Sequence, residues 1–331
     1  MKRLSQSPLR RWVVASTGVG AILLVSGVLA TTGANAATHT VTSTAATHTA
    51  APDAASIGNN PDPTSGPHRE AYDPMTGKMV TVYKPKSTTP VHPEKVTHPA
   101  KDSMGKVTSA HSSGKSSSSV TPAVTQLPGI DVSSYQGDIS WSSVAPHIDF
   151  SYAKATESTN YTNPYFSNQY TGPYNAGLIR GAYHFAVPNN SGGSTQADYF
   201  LAHGGGWSKD GKTLPGALDI EYNPYGSECY GLSQSAMTSW IWSFVNEYAY
   251  KTGVYPVIYS TYDWWHTCTS SDSGFAKYDP FWIADYSSSA GTLPAGYTFY
   301  TFWQYADSGS YPGDQDVFNG AYSQLQAIAN G

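Results

Sequence analysis

The sequence predicts an α/β domain with a mostly parallel sheet, and three observations predict it. Strand-length runs of apolar and aromatic residues recur between residues 128 and 331, each ending in a polar or loop-forming residue. Helix-like segments separate several of these runs, which is the alternation of a βα fold, closed or open. Polar side chains gather at the run ends, where a closed βα barrel carries its chemistry.

In chain order the runs are Gly129-Ile-Asp-Val132, Ile148-Asp-Phe-Ser-Tyr-Ala-Lys154, Ile179-Arg-Gly-Ala-Tyr-His-Phe185, Ala217-Leu-Asp-Ile-Glu221, Tyr255-Pro-Val-Ile-Tyr-Ser260, Phe281-Trp-Ile-Ala-Asp285 and Phe299-Tyr-Thr-Phe-Trp-Gln-Tyr305. The clearest helix starts after Ser233, a good N-cap. It places Ile241, Phe244, Val245 and Tyr248 on one face, and Gly253 stops it. In a barrel the strand ends would bring together Asp131, Lys154, His184, Glu221, Asp285 and Gln304.

Within the fourth run, Asp219 and Glu221 alternate with Leu218 and Ile220. On a strand, alternate side chains share a face, so both carboxylates point the same way with backbones roughly 6–7 Å apart. Two acids at that spacing suit glycoside hydrolysis: one protonates the leaving oxygen, the other stabilises or attacks the oxocarbenium ion. A strand end in Asp-x-Glu is common, so the motif alone is weak.

The rest of the chain reads differently. Lys2, Arg3, Arg10 and Arg11 precede the apolar run Trp12 to Ala30 and the small-x-small site Ala34-Asn35-Ala36. This is the pattern of a secretory signal peptide over 1–36. A retained anchor and, from Arg10-Arg11, twin-arginine export are the rival readings. Residues 37–123 are rich in Thr, Ser, Pro, Ala, His and Lys and poor in large apolar residues, so they are expected to be a disordered spacer. Six of the ten histidines lie there (His39, His48, His68, His92, His98, His111), without ligand spacing. One piece, Tyr72 to Tyr83, resembles a hairpin; a passive turn is expected there, with a wall-contact element as the alternative.

Residues 124–331 are the expected folded domain. They carry six Lys/Arg and seventeen Asp/Glu, or −11, against twelve and six before them, or +6; together these make the −5 of the whole chain. An acidic domain is a poor partner for nucleic acid. Cys229 and Cys268 are the only cysteines. In an exported chain they suggest one disulfide closing a loop of about 40 residues. No metal or nucleotide motif is present, so no cofactor is expected.

Five segments carry a resemblance: Gly129-Ile-Asp-Val-Ser-Ser-Tyr-Gln-Gly137, Tyr152-Ala-Lys-Ala-Thr-Glu157, Arg180-Gly-Ala-Tyr-His-Phe185, Leu218-Asp-Ile-Glu221 and Phe302-Trp-Gln-Tyr305. In that order they resemble the glycoside hydrolase family 25 lysozymes, the Chalaropsis type, and most of all secreted actinobacterial muramidases. The resemblance spans 128–331 and none of the spacer. It implies an irregular TIM-like βα barrel of five βα units plus three further strands. It also implies cleavage of the β-1,4 bond between N-acetylmuramic acid and N-acetylglucosamine in peptidoglycan. Glu221 matches the general acid and Asp219 its partner carboxylate, acting as nucleophile or as orienter of the substrate acetamido group. Asp131 matches an acid of the site floor and Asp316 the C-terminal acid, with Asp314 as competitor. Cys229 and Cys268 stand where related bacterial members form a disulfide. Two departures touch the groove: Tyr135 replaces a common Trp, and Asp285-Tyr286 replaces a His-Trp pair.

Bland alternatives stand beside each role. Glu221 could be a solvated strand-end acid, and Asp131 and Asp316 could be turn caps. Tyr183, Gln304, Trp303 and Asp285 are the expected substrate-binding residues. Aromatic side chains also fill cores, and Trp303 alternates with Gln304, so the two face opposite ways on a regular strand. His184 is expected to be packed and hydrogen-bonded, and Lys154 salt-bridged. The expectation for the whole chain is a secreted, monomeric muramidase, extracellular or wall-associated, without stable membrane attachment after signal removal. A chitinase-like glycosidase, a non-catalytic wall-binding module and a structural spore or sheath protein are the rivals.

Overall fold

The computed structural model describes residues 68–73, 78–84 and 126–331. The expected signal peptide, most of the expected spacer, and His39, His48, His92, His98 and His111 lie outside them. A hairpin of β1 (His68–Asp73) and β2 (Lys78–Tyr83) comes first. The barrel follows with β3 (Gln126–Val132), α1 (Trp141–Val144), β4 (Phe150–Glu157), the short β5 (Tyr161–Thr162), α2 (Phe166–Asn175), β6 (Ile179–Phe185), α3 (Gly193–Ala202) and β7 (Ala217–Asp219). It ends with α4 (Gln234–Thr252), β8 (Val257–Ser260), α5 (Tyr262–Cys268), β9 (Phe281–Ala284), β10 (Phe302–Ala306), β11 (Asp314–Asn319) and α6 (Tyr322–Asn330).

The sheet closes on itself. Its order is β3-β11-β10-β9-β8-β7-β6-β4, and β3 pairs with β4 to complete an eight-stranded ring, with β5 appended to β4. Every pairing within the ring is parallel except the two made by β11, which runs antiparallel between β10 and β3. Five strands are each followed by a helix (β3α1, β4α2, β6α3, β7α4, β8α5), and β9, β10 and β11 are the three further strands. The barrel expected from the resemblance is the one observed.

The two-residue period of the strands sorts side chains into an inner and an outer core. Phe150, Tyr152, Tyr183, Ala217, Val257, Tyr259, Trp282 and Phe302 fill the barrel. Their neighbours Leu218, Ile258, Phe281 and Ile283 face outward and pack against the helices. Helix α4 supplies much of that outer layer: Ile241, Phe244, Val245 and Tyr248 are fully buried. Its ends are where residue type requires. The Ser233 side chain accepts from the Ala236 amide at 3.3 Å, and Gly253 takes the left-handed φ of 83° that ends the helix at low steric cost. Among the described residues no helix is long and apolar enough to cross a membrane.

The segment Tyr72–Tyr83, expected as a passive turn, is a hairpin packed on the barrel. Tyr72 forms a parallel bridge with Val254, and Ala71 and Val82 are buried with Ala249 and Tyr255. The difference arises because the partner surface lies some 180 residues downstream, beyond the reach of any local pattern.

Candidate active site

The C-terminal ends of the parallel strands surround a small cavity lined by Asp131, Tyr183, Asp219, Tyr259, Trp282 and Gln304. Asp131 closes β3, Asp219 closes β7, and Gln304 lies on β10. Ile220 is buried in the outer core, so Asp219 and Glu221 on either side of it turn toward the barrel mouth. Asp131, Asp219 and Glu221 are 5%, 3% and 4% exposed. Three carboxyl groups in so dry a place call for local compensation.

Gln304 provides much of it. Its Nε2 donates to Asp131 Oδ2 at 2.7 Å and to Asp314 Oδ2 at 3.2 Å. Its Oε1 accepts from the Tyr259 and Tyr286 hydroxyls, both at 2.8 Å. Both amide protons and both carbonyl lone pairs therefore have protein partners. Gln304 lines the cavity as expected, but its amide is committed to the protein rather than open to a substrate acetamido group.

Asp316 is fully buried on β11, and its Oδ1 accepts from Trp282 Nε1 at 2.9 Å. Burial, with the Asp131 charge adding to it, pushes its carboxyl well above the usual carboxylate range. A glycine brings these acids together. Gly313 has φ 79°, and a Cβ there would fall 2.0 Å from the Asp131 carbonyl oxygen. The turn into β11 therefore passes against the end of β3, and Asp314 pairs in register with Asp131.

A second polar cluster borders the mouth. Lys154 and Glu157, both fully buried, form a salt bridge at 3.0 Å, and the ammonium lies 4.5 Å from the Phe185 ring centroid. Tyr225, on the loop after Glu221, donates its hydroxyl to Glu157 Oε1. Two more ties hold that loop to α5: the Tyr222 hydroxyl bonds Asp263 Oδ2 at 2.5 Å, and Cys229 and Cys268 form the disulfide, with Cα atoms 5.4 Å apart. Burial and the Asp263 bond push the Tyr222 hydroxyl up to about 12. His184 faces outward from the barrel. Its Nδ1 accepts from Thr156 Oγ1 at 2.8 Å, and its Nε2 donates to Gln196 Oε1 at 3.0 Å, an oxygen that also accepts from the Val187 amide. Burial holds its pKa down to about 3, so it stays neutral and structural.

The other expected groove residues fall elsewhere. Trp303 packs on the outer core and donates Nε1 to the Asp285 carbonyl at 2.8 Å, so it faces away from the cavity, as alternation with Gln304 requires. Asp285 contributes that carbonyl, and its side chain is not among the cavity-lining groups. Sequence alone did not single out Tyr259, Trp282, Glu157 or Tyr225. Tyr259 and Trp282 sit inside their strands rather than at the ends, and only parity within β8 and β9 marks them as inward. Among the described residues no group of three or more His, Cys, Asp or Glu is placed to hold a metal.

Comparison with known proteins gives the same assignment. The chain is 48% identical over 224 residues to lysozyme M1 of Streptomyces globisporus, covering 66% of this chain and 76% of that protein. It is 43% identical over 210 residues to the N,O-diacetylmuramidase of Chalaropsis sp, covering 62% of this chain and all of the other. Among solved structures, the muramidase from Acremonium alcalophilum superposes with a TM-score of 0.61 at 55% identity, over 62% of this chain and 99% of that one. Residues 130–314 match the glycosyl hydrolases family 25, a span that contains strands β4 to β10, the Asp-x-Glu pair and the Gln304 network: the chain belongs to glycosyl hydrolase family 25 and is a glycoside hydrolase of the lysozyme type.

Proposed function

We propose that this lysozyme hydrolyses the β-1,4 bond between N-acetylmuramic acid and N-acetylglucosamine in bacterial peptidoglycan, with Glu221 as general acid and Asp219 as its partner. The observation that carries this reading is the pair itself: two buried carboxyls one strand repeat apart, at the mouth end of β7, beside the barrel's cavity. Glu221, two residues beyond Asp219 at the C-terminal end of the strand, protonates the leaving oxygen. Asp219, deeper and lining the cavity, faces the anomeric carbon as nucleophile or orients the 2-acetamido group for internal attack. Asp131, held by Gln304, supports the floor. Tyr183, Tyr259 and Trp282, packed in the barrel core, form the aromatic base of the cavity beneath the sugar.

The chain acts outside the cell after removal of 1–36, on the strength of the n-region, apolar run and Ala34-Asn35-Ala36 site. The name of the Chalaropsis relative supports acceptance of O-acetylated muramic acid as well.

The test incubates residues 37–331 and a Glu221→Gln variant with peptidoglycan, reduces the products with borohydride and identifies the new ends by mass spectrometry. Reduced muramic acid ends from the parent alone are expected. Equal release by the variant would remove Glu221 from its role, and reduced glucosamine ends would change the bond assignment. A covalent glycosyl adduct on Asp219 would decide for the nucleophile.

A further inference from the structure

We propose that the β1–β2 hairpin belongs to the folded catalytic unit, as an intramolecular partner that stabilises it from the barrel pole opposite the active-site mouth. The family match starts at residue 130, and the muramidase structure from Acremonium alcalophilum aligns to 62% of this chain, an extent the barrel alone accounts for. The hairpin is thus an addition to the family domain.

The contact has the marks of a built interface. Along β1 and β2 the side chains alternate by face: Ala71 and Val82 are buried against Ala249 and Tyr255, with Val80, Tyr250 and Tyr278 around them. On the other face, Thr81 donates to Glu70 Oε1 at 2.8 Å and the His68 and Tyr83 rings meet at 5.3 Å. The backbone joins in as well. The Tyr72 amide donates to the Gly253 carbonyl at 2.5 Å, and the Tyr255 amide donates to the Tyr72 carbonyl at 3.1 Å. Arg69 Nη1 donates to the Lys251 carbonyl at 2.9 Å. Gly253 and Lys251 lie at the C-terminal end of α4, where helix carbonyls lack intrahelical donors and a cation is favoured. The hairpin therefore supplies donors to a helix end as well as covering an apolar patch. A two-stranded hairpin by itself is marginal in water, and this surface explains why it forms.

The placement has a functional consequence. Val254 and Tyr255 lead into β8 at its N-terminal end, whereas the cavity lies at the strand C-termini. The hairpin therefore lies at the pole away from the strand C-termini and leaves open the mouth that a polymeric substrate must reach. It acts on stability, without contact with the reacting groups.

The experiment compares residues 37–331 with an Ala71→Glu variant, which sets a carboxylate against Ala249 and Tyr255, and with a variant lacking 37–85. Hydrogen exchange, thermal unfolding and turnover of a soluble muropeptide are read on all three. The Tyr72 and Tyr255 amides are expected to be protected in the parent. In Ala71→Glu, protection at both is lost and the midpoint falls by on the order of 5 °C, a shift of the size expected for loss of a packed contact in a domain of this length. The deletion lowers the midpoint to a similar degree, and turnover in both variants stays within about twofold of the parent. A Tyr72 amide exchanging at the free-peptide rate in the parent would overturn the proposal. So would a deletion variant that melts with the parent and keeps Tyr255 protected. A folded variant that loses turnover would overturn the separation of hairpin from site.

Discussion

Gln304 joins Asp131 to Tyr259: its Nε2 donates to the carboxylate at 2.7 Å while its Oε1 accepts the phenol at 2.8 Å. A neutral amide does both at once, and the floor of the site depends on the two halves differing. Gln304→Glu keeps the acceptor and removes the donor, placing another carboxylate beside Asp131 and Asp314. We expect kcat/KM to fall about 100-fold near neutral pH, the scale of a small displacement of catalytic groups. Partial recovery is expected on acidification, when the introduced carboxyl takes up a proton and can donate again. A pH profile of kcat/KM lacking that acid-side recovery would argue against the hydrogen-bond role.

Asp316 makes stability depend on pH in a predictable direction. Burial and the Asp131 charge make its carboxyl release its proton at a higher pH in the fold than in the unfolded chain, where it ionises near the ordinary value of 3.8. The unfolded state therefore releases a proton that the folded state keeps. This contribution to stability is whole below that value and declines by about 1.4 kcal/mol per pH unit as pH rises toward the folded value. Asp316→Asn mimics the protonated acid at every pH. Its midpoint should lie near the parent's at pH 4 and gain on it as pH rises above that. Parallel curves for the two proteins would contradict a raised titration of Asp316.

Tyr225 ties the loop that follows Glu221 to the buried Lys154–Glu157 pair. The tyrosine is 36% exposed, so Tyr225→Phe leaves the ring in place and removes one charge-assisted bond. Such a bond contributes about 1.5–3 kcal/mol when its acceptor is ionised. The expected result is a rise in KM of about tenfold with a smaller change in kcat, because the loop borders the mouth without entering the chemistry. Steady-state kinetics on a soluble glycan separates the two constants.

The Cys229–Cys268 bridge closes a loop with a sequence separation of 39, which spans α4 and β8. In the chain-entropy picture its loss costs about 3–4 kcal/mol. The double variant Cys229→Ser, Cys268→Ser should fold but unfold about 10 °C lower, at roughly 2–4 °C per kcal/mol. Since Cys229 lies on the loop that follows Glu221, activity should fail at or below the new midpoint, as a temperature–activity curve would reveal.

Local periodicity determined a good part of this protein. The alternation of Asp219 and Glu221 with apolar neighbours, the cap at Ser233, the stop at Gly253 and the runs that became β3, β4 and β6 to β10 are all written in adjacent residues, because side-chain direction on strands and helices depends on backbone geometry alone. The same parity puts Gln304 inward and Trp303 outward. Tertiary structure decided the rest. Whether Gln304 would meet a sugar or four protein partners depended on Asp131, Asp314, Tyr259 and Tyr286 converging from separate strands and loops. The raised titration of Asp316 follows from burial against Asp131, which the close approach at Gly313 imposes. The seat of the hairpin on α4 joins segments some 180 residues apart. Contacts of that range arise only when the sheet closes, and no pattern of neighbours along the chain encodes which distant groups will share one dry cavity.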